Sequence, residues 1–417
     1  MNKPRVFYGY WILAACFVFC IISAGCTMIV FSLFVTPLQA ALGWSRTEIM
    51  VAFTILVLCT GVMAPFAGRL VDRHGARKVI PLGALVGAIG FVLLSQMSSL
   101  WHYYVCYAII GIGLTAVGQV TSSCVVSHWF VKRRGLAIGI MSMGLGLSGI
   151  TFAPLVAVYL IPNLGWSNAY LALAAITAGI VIPLSLFVIR TKPADMGLFP
   201  DGMEAAEAAS LAEAKASEGL PLKMALATSA FWLISFSAMF NHTHLGVVQN
   251  AFPHLSDMGF PVGVVASAIG IGSIMSTIGV FFFGWLCDRI PAKFASVIGL
   301  SITALGILIF VYVKPESPLA LIWIYSIVVG FGIGSWMPTM SMLVSSSFGM
   351  AHYGSIFGMA SLPQHIGAAV GPVLVAYLYD SMNTYYWAFI VILALVVLAI
   401  PLVLAVRRPA SYQTPRL

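Results

Sequence analysis

Two histidines, His242 and His244, lie between Asn241 and the pair Gln249 and Asn250 inside one long apolar run, and a third, His365, follows Gln364 inside another. Gln119 and the set Ser335, Trp336 and Thr339 are further uncharged polar groups within such runs. Imidazole gains and loses a proton between roughly pH 5 and 8, and amides offer paired donors and acceptors. Together these residues suit proton handling and hydrogen bonding to a small polar molecule, and a charged imidazole can pair with a carboxylate. On a straight helix, at about 100° per residue, His242 and His244 project about 200° apart, so one cavity can receive only one of them. Asn241 and His244 then share one face, and His242 and Gln249 the other. Each histidine could instead be a satisfied packing group. His365, on a helix of otherwise small residues, is the foremost candidate for substrate or proton handling.

No nucleophile stands in register with a base, no acid pair appears, and the seven cysteines form no CxxC pair. Neither catalysis, nor a metal, nor a cofactor is expected. Gly144, Gly146 and Gly149 match the G-x-G-x-x-G expression, but no strand precedes them and they lie inside an apolar helix, which excludes a dinucleotide site. Small residues so spaced let α-helices five and eight, or their neighbours, approach closely. Gly111, Gly113, Gly118, Gly330, Gly332 and Gly334 read the same way.

The elements that must carry these groups follow from composition. Hydrophobic residues make up 61% of the chain and charged ones 8%, against about 45–50% and about 25% in a soluble globular protein. About 20 apolar residues cross the hydrocarbon core as a helix. Twelve such runs are present, with cores at 11–36, 48–69, 79–98, 103–129, 135–160, 167–189, 229–252, 262–286, 294–313, 319–345, 353–379 and 384–406. The expected fold is an all-α membrane protein of twelve spans. With both ends inside, 18 of the 20 Lys and Arg are cytoplasmic, leaving only Arg46 and Lys314 outside. This bias accounts for the net charge of +8 without nucleic acid. Ser45-Arg46-Thr47-Glu48 reads as a capping box opening the second helix. Trp101, Tyr103, Tyr104, Tyr385, Tyr386 and Trp387, at helix starts, read as interface aromatics, whereas Trp336 lies deeper.

The chain is duplicated. Gly68-Arg69-Leu70-Val71-Asp72-Arg73 recurs as Gly284-Trp285-Leu286-Cys287-Asp288-Arg289, an offset of 216 (288 minus 72). Pro154-Leu155-Val156-Ala157-Val158-Tyr159-Leu160 recurs near Pro372 to Leu378 at 218, and Arg134 to Gly139 recurs as Tyr353 to Gly358 at 219. Two six-helix halves are expected at 1–190 and 225–417. Between them, 191–224 reads as a cytoplasmic linker whose Ala- and Glu-rich stretch 203–215 has helical propensity.

The Gly-x-x-x-Asp-Arg-x-Gly-x-Arg-Lys loop after the second helix, repeated in part after the eighth, resembles the signature of the major facilitator superfamily. Trp129 to Gly135, between helices four and five, is a further element of it. Tyr8-Gly9-Tyr10-Trp11 and Leu42 to Glu48 resemble the bacterial monocarboxylate and oxalate/formate branch. The resemblance implies two six-helix bundles around a cavity that opens alternately to each face of the membrane, with substrate near the midplane. Gly68, Asp72, Arg73 and Arg77, with Gly284, Asp288 and Arg289, would form conformational latches, the glycines permitting close approach and a tight turn.

Members of that branch commonly carry an arginine in the eighth helix and often a lysine in the cavity. Here those positions are Val280 and Ala360, and none of the 12 acidic and 20 basic residues lies mid-helix. The midplane is polar but uncharged at neutral pH. The function implied is secondary transport of a small organic acid such as a monocarboxylate, with a proton, across a bacterial inner membrane, both termini cytoplasmic. The bilayer, the substrate and the proton are the expected partners, and the monomer the working unit. Transport of a neutral or amphipathic compound, and a transporter-like sensor, are the alternatives.

Overall fold

The computed structural model describes residues 7–130, 134–202, 220–349 and 353–407. Ten of its helical stretches are individually long and apolar enough to cross a membrane. One of these, Leu136–Phe187, has 52 residues, enough for two crossings of about 20 each. Gly165, at φ 76° and ψ 165°, divides it. The expected seventh crossing is two helical halves, Ser229–His242 and Leu245–Asp257, each too short alone. These two cases reconcile ten long stretches with the twelve runs of the sequence.

The crossings are α1 (Gly9–Leu42), with a π turn at Gly25–Ile29; α2 (Arg46–His74); α3 (Ala76–Ser95); and α4 (Leu100–Trp129), irregular at 116–118. Next come α5 (134–164), α6 (166–187) and the broken α7 (229–257). Last are α8 (Val262–Cys287), α9 (Ala292–Val311), α10 (Leu319–Phe348), broken at 334–335, α11 (Tyr353–Met382) and α12 (Tyr386–Leu404). The Ala- and Glu-rich linker stretch 203–215 lies outside the described residues.

The chain divides into two compact units, Met1–Trp44 with Val51–Ala212, and Ser45–Met50 with Glu213–Leu417. The first turn of α2 thus belongs to the second unit and the rest of that helix to the first. Inside the first unit α1 packs on α5, and α3 on α4 and α6; inside the second, α7 packs on α11, and α9 on α10 and α12. The same pairs recur six helices later, as duplication requires. Even the irregularities repeat. The π turn of α1 contains Cys26, and adding 217 gives Thr243, where α7 breaks; Gln119 follows the break in α4 as Trp336, 217 later, follows that in α10.

Two close approaches position the site described next. A Cβ on Gly367 of α11 would collide with the backbone carbonyl of Met239 on α7, and one on Gly371 would meet the backbone of Thr243 at 2.6 Å. Only glycine lets these backbones touch, which draws Gln364 and His365 towards α7. Gly367→Val should therefore force α7 and α11 apart, at a cost of about 1–3 kcal/mol or more. Thermal unfolding in detergent checks this; an unchanged midpoint would mean the contact is not close in solution. The expectation for Gly144 resolves to α1, since its Cβ would meet the Phe17 carbonyl and, at 3.1 Å, Cys20.

Candidate functional site

The break in α7 has a local cause. His242 Nδ1 lies 3.1 Å from the carbonyl of Ala238, the Thr243 hydroxyl donates to Phe240 O at 2.7 Å, and His244 Nδ1 lies 2.6 Å from Asn241 O. Three successive side chains take carbonyls at i−3 or i−4, competing with the helical ladder. The backbone follows with tight bonds, Thr243 N to Phe240 O and His244 N to Asn241 O. The 100° rule therefore fails across Thr243. His242 and His244, expected to diverge, have ring centroids only 5.6 Å apart.

Around this break the second unit assembles most of the candidates. The Trp336 ring meets His242 edge to face at 5.0 Å, and its indole N–H donates to Gln364 Oε1 at 3.0 Å. His365, the next residue, has Nδ1 3.0 Å from the carbonyl of Ser361. Trp336 and His244 are buried, whereas His242, Gln364 and His365 are half-buried.

A carbonyl can only accept, so Nδ1 of all three histidines must be the donor. In the neutral ring this fixes the tautomer and leaves Nε2 as a bare acceptor. Gln364 is fixed likewise: its oxygen accepts from Trp336, so its NH₂ group supplies the outward donors. The cluster presents imidazole lone pairs and amide N–H groups, and contains no lysine or arginine.

The remaining candidates separate. Asn241 is 4% exposed and gives its backbone carbonyl to His244. Asn250, fully buried, donates to Gly246 O and, at 3.2 Å, to Pro372 O, which ties α7 to α11. Gln249 is buried in the second half of α7, and Gln119 belongs to the first unit. Val280 is half-buried against Gly334 of α10, and Ala360 is fully buried.

The loop expected to act as a latch is fastened to the end of α6 within the first unit. Gly75 adopts φ +81°, Ala76 N–H donates to the Thr191 hydroxyl at 2.9 Å, and Arg77 Nε donates to Leu186 O at 2.9 Å. A cation on carbonyls at a helix C-terminus is favourable. Gly68 has open space where a Cβ would stand, and Arg73 is exposed; the Asp72 side chain lies outside the described residues. In the second copy Arg289 stacks on Trp285 at 3.9 Å. Gly284 and Asp288 end α8, Asp288 as its C-cap. Trp129 packs against Tyr8 at 5.7 Å, and both donate to the chain after α6, at Arg190 O and Val188 O.

Sequence reasoning missed two groups at the other end of the second unit, one buried and one half-buried. Arg46, expected at the outer surface, is 4% exposed. His254 lies against Tyr385 at 4.5 Å and Phe389 at 5.2 Å. Tyr103 and Tyr385, read as interface aromatics, are buried in aromatic clusters, while Trp101, Tyr386 and Trp387 are exposed as expected.

Comparison with known proteins bears on this geometry. The sequence pattern of the Major Facilitator Superfamily matches residues 15–372. Monocarboxylate transporter 13 from Bos taurus is 27% identical over 330 residues, 79% of this chain and 73% of that one. The oxalate:formate antiporter of Oxalobacter formigenes is 24% identical over 371 residues, covering 88% and 84%. Among solved structures, a bacterial homologue of the human lysosomal transporter Spinster superposes with a TM-score of 0.73 at 16% identity, covering 97% of both chains. A mutant of the nucleoside transporter NupG gives 0.74 at 14% identity, covering 96% and 99%.

Proposed function

The chain belongs to the Major Facilitator Superfamily, and from that premise we propose that it carries a small monocarboxylate-like acid across the membrane by alternating access, one proton accompanying each carboxylate. The relatives named for monocarboxylates and for oxalate and formate support the substrate class. The supporting observation in the site is the set of three imidazoles whose Nδ1–H is committed to backbone carbonyls.

A carboxylate is acceptor-only and would face Nε2 lone pairs with no cation nearby. Adding one proton removes the conflict. An imidazolium Nε2–H can donate to the carboxylate while Gln364 N–H donates to its second oxygen. A buried charge is then paired and hydrogen-bonded rather than stranded. The Lys and Arg distribution supports a reading with both termini cytoplasmic, and the resemblance to the bacterial branch supports an inner membrane. The corners between α2 and α3 and after α8, carrying Gly68, Asp72, Arg73 and Arg77 and then Gly284, Asp288 and Arg289, act as latches in this cycle.

The test is uptake of labelled formate, acetate and lactate into proteoliposomes under an imposed pH gradient, with acetamide and glycerol as uncharged controls. Acid accumulation that rises as the outer pH falls is expected. Uptake of only the uncharged compounds would favour a neutral substrate for the same lone pairs. Saturable binding without flux would identify a sensor instead.

A further inference from the structure

The first turn of α2 is held in the second unit by a carboxylate site that the chain fills itself. Its capping box forms as the sequence predicts, Ser45 N–H donating to Glu48 Oε2 at 2.8 Å and Glu48 N–H to Ser45 Oγ at 3.2 Å. This fixes the turn from which Arg46 projects into the protein. Arg46 Nη2 meets both oxygens of Asp257, at 2.7 and 2.6 Å, and Nη1 donates to the Tyr385 hydroxyl. The guanidinium lies over the Tyr379 ring at 4.4 Å, and Tyr379 O–H points to Asp257 Oδ2 at 3.5 Å. Burial pushes the Tyr385 phenol above its ordinary value, so it keeps its proton. Because its oxygen accepts from Arg46, that proton is free to be donated.

The two partners differ in exposure. Arg46 is 4% exposed and Asp257 35%, at the C-terminal end of α7. The cation is built into the protein, whereas the anion sits at the rim, where water can solvate it once another carboxylate pairs with Arg46. Meanwhile Asp380 satisfies the helix end independently, accepting from Thr47 N–H at 2.9 Å and from its hydroxyl at 2.6 Å. The turn therefore stays anchored when Asp257 leaves. A guanidinium with two phenol groups beside it recognises a carboxylate of any origin.

We propose that Arg46, Tyr379 and Tyr385 form a receptor for the carboxylate of an incoming small organic acid, occupied at rest by Asp257, which the substrate displaces. The inference rests on the carboxylate reading above and gives the acid a cationic site separate from the histidine cluster. That cluster lies further along the same helix, 15 residues from Asp257 to His242, or about 22 Å at helical rise.

The experiment is equilibrium binding of labelled acetate and lactate to purified full-length protein, with KM for uptake measured in parallel. Asp257→Asn removes the competitor and should tighten binding and lower KM by about tenfold, the equivalent of about 1.4 kcal/mol. Arg46→Gln should raise KM by at least that factor, and Arg46→Lys should restore part of the loss. In the double variant the gain from Asp257→Asn should vanish, because no cation remains to be freed. Thermal unfolding and gel filtration confirm that each variant is folded. If Asp257→Asn weakens binding as Arg46→Gln does, the pair is a brace and the proposal falls. Acid transport unmoved by either substitution overturns this inference alone. Absence of any carboxylate binding by the wild type overturns both it and the functional reading.

Discussion

If acid is carried with one proton as proposed, replacing His242 and His365 together by glutamine should abolish accumulation of acid driven by a pH gradient while sparing exchange of labelled acid at equal pH on both sides. The magnitude follows from coupling to one proton. A gradient of about one pH unit stores about 1.4 kcal/mol per proton, which sustains about tenfold accumulation of the coupled solute. Loss of coupling returns that ratio to about one. Glutamine keeps a donor and an acceptor near the ring positions but cannot hold a proton, so the carboxylate loses its charge partner and not its hydrogen bonds. The expected sign is that uptake rises as the outer pH falls, because in the proposed cycle protonation precedes carboxylate binding. Undiminished accumulation in the double variant would mean that the acid brings its own proton and that the histidines only accept from it. Each single variant apportions the role, His365→Gln testing the residue the sequence favours and His242→Gln the one that contacts Trp336.

Much of this arrangement is legible before any coordinates. Long apolar runs must be helices in lipid, because no other open structure satisfies the backbone there, and offsets of 216 to 219 require two similar units. His242, Trp336, Gln364 and His365 stand out because a polar group inside an apolar run is costly unless it is used. What the sequence conceals is where helical periodicity stops. Thr243 resembles any helical threonine, yet its hydroxyl and the two flanking imidazoles capture carbonyls at i−3 and i−4, and the break reverses the expected divergence of His242 and His244. Arg46 is hidden for a different reason. A basic residue in a capping box at the end of a span reads as solvated, and only tertiary structure reveals that Asp257 and Tyr385, over 200 positions away, enclose it. His254 likewise becomes noticeable only through the aromatic rings around it.

Trp336→Phe should raise KM for the transported acid about five- to tenfold with kcat within about twofold of wild type. Phenylalanine keeps a ring against the His242 edge but deletes the indole N–H that holds Gln364 Oε1 at 3.0 Å. With that bond gone, the Gln364 amide turns freely and offers oxygen as readily as NH₂ towards the ligand. A carboxylate oxygen then meets a donor for only part of the time. A neutral hydrogen bond contributes about 0.5–1.5 kcal/mol net, which sets the size of the change. The loss is equal in bound substrate and in later steps, so it enters KM rather than kcat. Gln364→Glu makes the complementary test: its carboxylate still accepts from the indole but has no N–H for the substrate and adds a repelling charge, so acid transport should be lost while the fold survives. Trp336→Ala separates packing from recognition. Because the side chain is 7% exposed, its removal opens a cavity at a cost of about 3–5 kcal/mol, to be seen as a lowered unfolding midpoint, whereas Trp336→Phe should lower it far less. A wild-type KM in Trp336→Phe, with Gln364→Glu still carrying acid, would remove Gln364 from substrate recognition and leave the indole as a packing group alone.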